Sequence, residues 1–569
     1  MLSEPKTMTP QQTVHESDTE SQLGLKWEPH LFSPAMVSPT WTRDLQFDGL
    51  RAVALRELAA EDVRNVEVTY LAEGLFNRVF RISDVDHQTQ YVLRVALPVD
   101  PNNKTSCEVA TLEYLAVKTS LPVPRVHAFS TSRSSDIGFE YILEDFMPGV
   151  QLNKCWNKLS FAQLSSVTRQ LATFQAQLFQ HRFPAVGGLR KAANGDFVVG
   201  NMADIQFFWY ERTKDHIHKG SFDSTHSWLD TLLLLKLNES RRLYEEDNAE
   251  PESAPEDQSE PEVDEEDEAS DFEPVLHNIE HLSQHLPKVL GEVGLTDSDD
   301  VHTAGAILYH PDLSTHNILI DPKTAQITGI IDWENVSAVP LWAGCELPAL
   351  LAPYAKLCHE RPDRNDYEDM DLDTYVQKTK QDGFDNEGKE PKFWQRELEW
   401  QRTQLRVIFL EEMQKICPSW VEVYHKSEAL RDFYNVCMLV DNVWEAERVK
   451  EWIDGLEAGE RRSFVKVRFE REAIHISDLV GDVTEHEENV KEGEEEDQDW
   501  TPAMLPGLKG AVDGGDAIAV KSTEVTTQPS AQQLDLGVGI WRYTARLLRD
   551  ATNRLLQLVG SWNLVDAAR

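Results

Sequence analysis

His310, Asp312, Asn317 and Asp332 fall within one stretch, AILYHPDLSTHNILIDPKTAQITGIIDWENVSAVP. His310-Pro311-Asp312 with Asn317 has the spacing H-x-D-x-x-x-x-N, and Asp332 closes an apolar run that ends at Ile331. Phosphoryl transfer needs such a set. One carboxylate orients or deprotonates an attacking hydroxyl, while an amide oxygen and a second carboxylate hold a hard divalent cation against phosphates. Magnesium prefers hard oxygen ligands of this kind.

Such residues act only if rigid elements aim them. Ile307 to Tyr309, Ile318 to Ile320 and Ile327 to Ile331 read as short apolar strands around polar turns. Upstream, residues 50 to 62 have helical spacing, and Val66 to Tyr70, Val79 to Ile82 and Tyr91 to Val95 read as a small meander of strands. A helix from Ser106 to Lys118 stops before LPVPRV, whose two prolines force an extended segment. FEYILEDFMPG reads as a strand running into a Pro-Gly break. Beyond it, Phe161, Leu164, Val167, Leu171, Phe174 and Leu178 share one helical face, and helices resume over Val275 to Leu290 and Leu341 to Val449. The expected fold class is α+β, with a sheet-rich first lobe and a mainly helical second lobe.

Composition sets limits on the rest. The 569-residue chain has a formal net charge of -43, concentrated in acidic runs over 245–273 and 482–499. Such runs repel themselves and bury no apolar area, so they read as disordered. The balance opposes binding to nucleic-acid backbones, which needs Lys and Arg to displace counterions. Six singly spaced cysteines make no zinc pattern and suit a reduced, intracellular protein. No apolar run is long enough to span a bilayer. The chain divides into a disordered arm (1–45), a first lobe (46–147), a helical lobe (148–480) with the 245–273 insertion, a polar linker (481–538) and a terminal amphipathic helix (539–569). In that helix Arg542, Arg546, Arg549 and Arg554 beside Trp541, Leu547, Leu548 and Leu555 suit packing on the domain, an anionic membrane surface or a partner groove.

HPDLSTHNILID followed by GIIDWE resembles the catalytic and metal motifs of the aminoglycoside phosphotransferase family, of protein-kinase-like fold. It is most similar to the fungal branch that includes the altered inheritance of mitochondria protein 9 group. LAEGLFNRVFRI resembles the family's nucleotide-covering loop, YVLRVALP its phosphate-contacting strand, SCEVATLEYL the helix whose Glu pairs with that strand, and FEYILEDFMPG the hinge. LPVPRVHAF resembles its crossing segment, and the stretch from Phe197 to Phe222 that branch's insertion. The similarity covers roughly residues 47 to 450, less the acidic run.

The resemblance implies a two-lobed fold, a small antiparallel-sheet lobe over a larger helical one. It implies ATP or GTP with Mg2+, a small-molecule hydroxyl acceptor, Asp312 as base, and Asn317 and Asp332 on the metal. Gly74 and Asn77 would cover the phosphates, Arg94 would contact them while paired with Glu108, and adenine would lie on the backbone from Glu144 to Phe146. Glu113, on the same helix, is the other candidate partner for Arg94. Arg94 stands where many relatives have Lys, and Gly74 is the loop's one glycine. After Asp332 the chain lacks D-F-G and A-P-E, an arrangement similar to small-molecule kinases rather than protein kinases. His310 is expected to brace the loop and His316 to be a loop residue. A cytoplasmic setting is expected, with a mitochondrial one as the alternative. A catalytically weak scaffold that binds partners through its acidic tracts and terminal helix is the second functional reading.

Overall fold

The computed structural model describes residues 22–30, 33–248, 272–296, 298–352, 359–382, 388–460, 463–464 and 467. All of them lie in one compact unit. The acidic linker and the terminal amphipathic helix expected from the sequence lie outside the described residues, as does the acidic run from 249 to 271.

The chain enters through an antiparallel hairpin, β1 (Leu25–His30) and β2 (Ser33–Trp41). This corrects the expectation of a structureless arm to residue 45. Pro39 sits opposite Trp27, which a sheet of two strands tolerates because each strand has an open edge. The hairpin packs on distant residues: Trp27 lies edge-on to Trp209 and Tyr210 at 4.9 and 5.9 Å, and Trp41 to Phe139 at 5.0 Å.

Helix α1 (Phe47–Glu57) then leads into a five-stranded antiparallel sheet. Its strands are β3 (Val66–Glu73), β4 (Asn77–Asp84), β5 (Gln90–Ala96), β6 (Val126–Ser130) and β7 (Glu140–Asp145), in the order β3-β4-β5-β7-β6. Leu50, Val53 and Ala54 of α1 share a buried core with Phe80, Ile82, Leu93, Val95, Tyr141 and Leu143 of the sheet. β4 alternates buried Phe80, Ile82 and Asp84 with half-buried residues, whereas the central strands β5 and β7 are buried along most of their length. Helix α2 (Asn103–Lys118) follows β5.

The second lobe begins at β8 (Val150–Gln151) and α3 (Phe161–Gln180). Ser160 caps α3, its hydroxyl taking the Gln163 amide while the Gln163 side chain returns to the Ser160 amide. After β9 (Leu189–Lys191), β10 (Phe197–Val199) and the short α4 (Ile205–Phe208) come the long helices α5 (Thr225–Asp247) and α6 (Phe272–Glu292). Both helices run a few residues into the span 245–273 that the charge pattern marks as disordered.

Four short strands then build the centre: β11 (Ala306–Tyr309), β12 (Ile318–Asp321), β13 (Gln326–Ile330) and β14 (Ser337–Pro340). Helices α7 (Pro391–Ile416), α8 (Pro418–Lys426), α9 (Glu428–Leu439) and α10 (Ala446–Glu457) complete a core that includes Leu171, Leu233, Ile279, Trp342, Phe409 and Phe433. The arrangement is the expected α+β fold, a small antiparallel lobe and a larger helical lobe. No helix among the described residues is long and apolar enough to cross a membrane.

Candidate active site

Strand pairing brings the two candidate loops together. β11 pairs with β14, setting Tyr309 opposite Ser337, and β12 pairs with β13, setting Ile318 opposite Ile330. The loop carrying His310, Asp312 and Asn317 and the loop carrying Asp332 are therefore each bounded by residues that are partners across a ladder. The Ile331 amide donates to the Asn317 carbonyl at 3.0 Å, fastening one loop to the other.

Within the first loop the Asn317 amide nitrogen Nδ2 donates to both the carbonyl and the Oδ2 of Asp312, each at 2.9 Å. These bonds fix the carboxylate and turn the Asn317 amide oxygen away from it. The Asp312 amide donates to His310 Nδ1 at 3.2 Å, which makes Nδ1 an acceptor and leaves Nε2 as the donor to the Ile331 carbonyl at 3.3 Å. Burial lowers the His310 pKa to about 4, so the ring is neutral, as that tautomer needs. Its ring centre lies 4.8 Å from that of Trp333, the planes inclined at 58°, and Trp333 Nε1 donates to the Ile330 carbonyl at 2.8 Å. His310 is a brace between the loops. The His316 carbonyl accepts from Gln151 Nε2 at 2.9 Å, a loop contact.

Asp332 has φ of +66° and Asn335 +61°, the left-handed region that Asp and Asn enter most readily among residues with a side chain. This bend turns the Asp332 carboxylate toward the small lobe, where Arg94 Nη2 donates to Oδ1 at 3.1 Å. Arg94 Nη1 donates to Glu108, and Nη2 lies 3.8 Å from Glu334 Oε2. Arg94 is buried, and its charge is held firmly: burial works against it, but Glu108, Glu144, Asp332 and Glu334 prevail and raise its pKa. Glu113 instead pairs with Lys191 at 2.6 Å on the surface.

Two residues that the sequence reading passed over complete the site. Lys104, in the first turn of α2, pairs with Glu334 at 2.6 Å, and Asn77 Nδ2 donates to the same Glu334 oxygen at 2.6 Å. Signals existed for both: Lys104 stands four residues before Glu108, on the same helical face, and Glu334 stands two residues after Asp332. Burial pushes the Asp332 pKa up and Glu334 adds to this, over the opposing pull of Arg94. Burial also opposes charge on Glu334, but Lys104 and Arg94 outweigh it and hold its pKa down.

The remaining candidates are placed less uniformly. Gly74 opens the turn between β3 and β4, its amide bonded to the Asn77 carbonyl at 2.8 Å, and a Cβ there would meet nothing closer than 3.9 Å. The Asn77 side chain is spent on Glu334 and is buried. Glu144 is buried in the sheet opposite Val92, and burial, more than Arg94 can offset, pushes its carboxyl up to about 7. The amides of Asp145 and Phe146 donate to the Arg125 and Gln90 carbonyls at 3.0 and 3.4 Å, so these two hinge donors are already used within the sheet. The Phe146 ring lies under Arg81, 5.0 Å away.

A two-lobed kinase-like domain is thus defined, with a carboxylate loop and a second carboxylate segment facing a buried cation of the small lobe. Residues 67–343 match the model of the phosphotransferase enzyme family, APH. A subtelomeric hrmA-associated cluster protein of Aspergillus fumigatus is 29% identical over 321 residues, covering 52% of this chain and 60% of its own length. An altered inheritance of mitochondria protein 9 of Eremothecium gossypii, named as mitochondrial, is 31% identical over 141 residues, 23% of each chain. The chain thus spans 60% of the first of these relatives and 23% of the second. Among solved structures, a choline kinase from Cryptosporidium parvum Iowa II aligns with a TM-score of 0.36 at 15% identity, over 76% of this chain and 96% of its own.

Proposed function

We propose that this domain transfers the γ-phosphate of a nucleotide, ATP or GTP, with Mg2+, to a hydroxyl of a small-molecule acceptor. The observation that carries the reading is that the loop in which Asn317 holds Asp312 is fastened to the Asp332 loop by the Ile331–Asn317 bond at 3.0 Å, while Arg94 reaches Asp332 at 3.1 Å across the lobes. The match of residues 67–343 to the phosphotransferase enzyme family supports it.

Asp312 accepts the acceptor's hydroxyl proton, and its Asn317 bond presets the orientation that such a step requires. Neutral His310 keeps the loop in register and moves no proton. The donor set fits magnesium: the Asn317 amide oxygen and the Asp332 carboxylate are hard oxygen ligands, and 28% of the Asp332 side chain is exposed. Among the described residues no group of three or more His, Cys, Asp or Glu is arranged around one metal position, so a bound ion would draw its other ligands from phosphate and water. When bound, the ion neutralises charge on the phosphates. Space above Gly74 leaves room for phosphate against the covering turn.

The test is transfer of labelled terminal phosphate from ATP and from GTP into a broad mixture of hydroxyl metabolites, with Asp312→Asn as the control. A labelled product that the variant does not form supports the reading. One observation favours the second reading, a weakly active scaffold: Arg94 already donates to Glu108 and Asp332, which leaves it less able to grip phosphate. No labelled product from either nucleotide, with partners retained on the full chain, would favour that scaffold. The mitochondrial naming of the Eremothecium relative supports the mitochondrial alternative for localisation.

A further inference from the structure

One carboxylate of the large lobe gathers three elements of the small lobe. Glu334 Oε2 accepts from Asn77 Nδ2 and from Lys104 Nζ, each at 2.6 Å, and stands 3.8 Å from Arg94 Nη2. Asn77 begins β4 directly after the covering turn, Arg94 lies in β5, and Lys104 lies in the first turn of α2. All four residues are no more than 7% exposed. Lys104 also donates to Asn77 Oδ1 at 3.4 Å and lies 5.8 Å from the centre of the Phe76 ring within the turn.

Lys104 and Glu108 lie one helical turn apart on the same face of α2. The helix is therefore tied twice, through Glu108 to Arg94 of β5 and through Lys104 to the segment that bears Asp332. Burying such a pair is a poor way to gain stability, since desolvation consumes most of the attraction, and the best-attested use of buried polar pairs is to fix register. Here the register is that of the covering turn, the Arg94 strand and Asp332. The chain itself supplies both charges, so the arrangement is set in the unmodified protein.

We propose that Glu334 and Lys104 are positioning residues: their ion pair locks the small lobe onto the Asp332 segment, so that the covering turn and the two site loops are in register before ligand arrives. The proposal rests on the nucleotide reading above, and its test separates the two. In the full chain, Lys104→Met, Glu334→Gln, Lys104→Arg and the double variant K104M/E334Q are compared for AMP-PNP affinity with MgCl2 and for amide hydrogen exchange. Lys104→Met and Glu334→Gln are each expected to weaken AMP-PNP with MgCl2 at least about tenfold and to speed exchange at 74–77 and 103–108, with exchange in α3 unchanged. Lys104→Arg is expected to restore most of the affinity. The double variant removes both charges, leaves neither buried alone, and is expected to lose no more affinity than Lys104→Met. Wild-type affinity and wild-type protection at 74–77 in both single variants, or additive losses in the double variant, would overturn the proposal. Failure of the wild-type protein to bind AMP-PNP with MgCl2 would instead remove the nucleotide reading, and the exchange data alone would still decide whether the pair joins the lobes.

Discussion

Asn317 Nδ2 bonds the Asp312 side chain and main chain at once, both at 2.9 Å. The candidate base is thereby held by the residue whose amide oxygen the proposed function assigns to magnesium. Asn317→Ala is expected to cost about 1–3 kcal/mol, because it strips donors from a buried carboxylate. Asn317→Asp is expected to cost more, by setting a like charge against Asp312, and to regain part of the loss when MgCl2 is added. Chemical denaturation with and without MgCl2 checks both; equal midpoints for Asn317→Asp and wild type would contradict this account of the loop.

Glu144 gives a pH signature whose sign is fixed. Its folded pKa, raised to about 7 from an ordinary 4.5 by burial, means the folded state keeps a proton that the unfolded chain releases. Its contribution is full below about pH 4.5 and is lost as pH rises through about 7. Glu144→Gln is therefore expected to gain stability on wild type across that window, levelling at on the order of 3 kcal/mol above it. Melting temperatures at pH 4.5, 6 and 8 measure the gap; a gap that stays constant would contradict the assignment.

Gly74 needs no glycine for its own backbone, since its φ lies outside the left-handed range and a Cβ would contact nothing within van der Waals distance but the Asn77 carbonyl at 3.9 Å. Gly74→Val is expected to change unfolding free energy by less than about 1 kcal/mol while weakening nucleotide affinity, because the added bulk would occupy the space that the proposed function gives to phosphate. Loss of stability without loss of affinity would place the nucleotide elsewhere.

Trp27 ties the hairpin to Trp209 and Tyr210, in the cluster that also packs Leu75 and Phe76 of the covering turn. Trp27→Ala is expected to cost about 2 kcal/mol and to raise hydrogen exchange in the turn. Unchanged protection of residues 74–76 would show the hairpin to be independent of the turn.

The strands and helices that aim the site are legible because period and punctuation agree: apolar runs of three or four residues flank HPDLSTHN, and prolines end α2 at Lys118. The pairing of Arg94 with Glu108 came from the family resemblance and not from the residues alone, which left Glu113 open; Glu113 pairs with Lys191 instead. The hairpin was not legible. Leu25 and Trp27 are paired with a strand holding Pro34 and Pro39, and its apolar partners Trp209, Tyr210 and Phe139 lie far along the chain. Lys104 and Glu334 escaped for a similar reason. Each looks like a solvated surface charge until tertiary contact between β4, α2 and the Asp332 segment buries it. The use of the Asp145 and Phe146 amides within the sheet depends on strand register, which propensity does not specify.

The most direct test of the central claim is the melting temperature of the full chain with AMP-PNP, before and after MgCl2 is added, in wild type and in Asp332→Ala. Binding of a ligand to the folded state alone raises the melting temperature, so wild type should show a further rise with MgCl2 that Asp332→Ala lacks. An equal magnesium-dependent rise in both proteins would contradict the account, because Asp332 would then hold no metal.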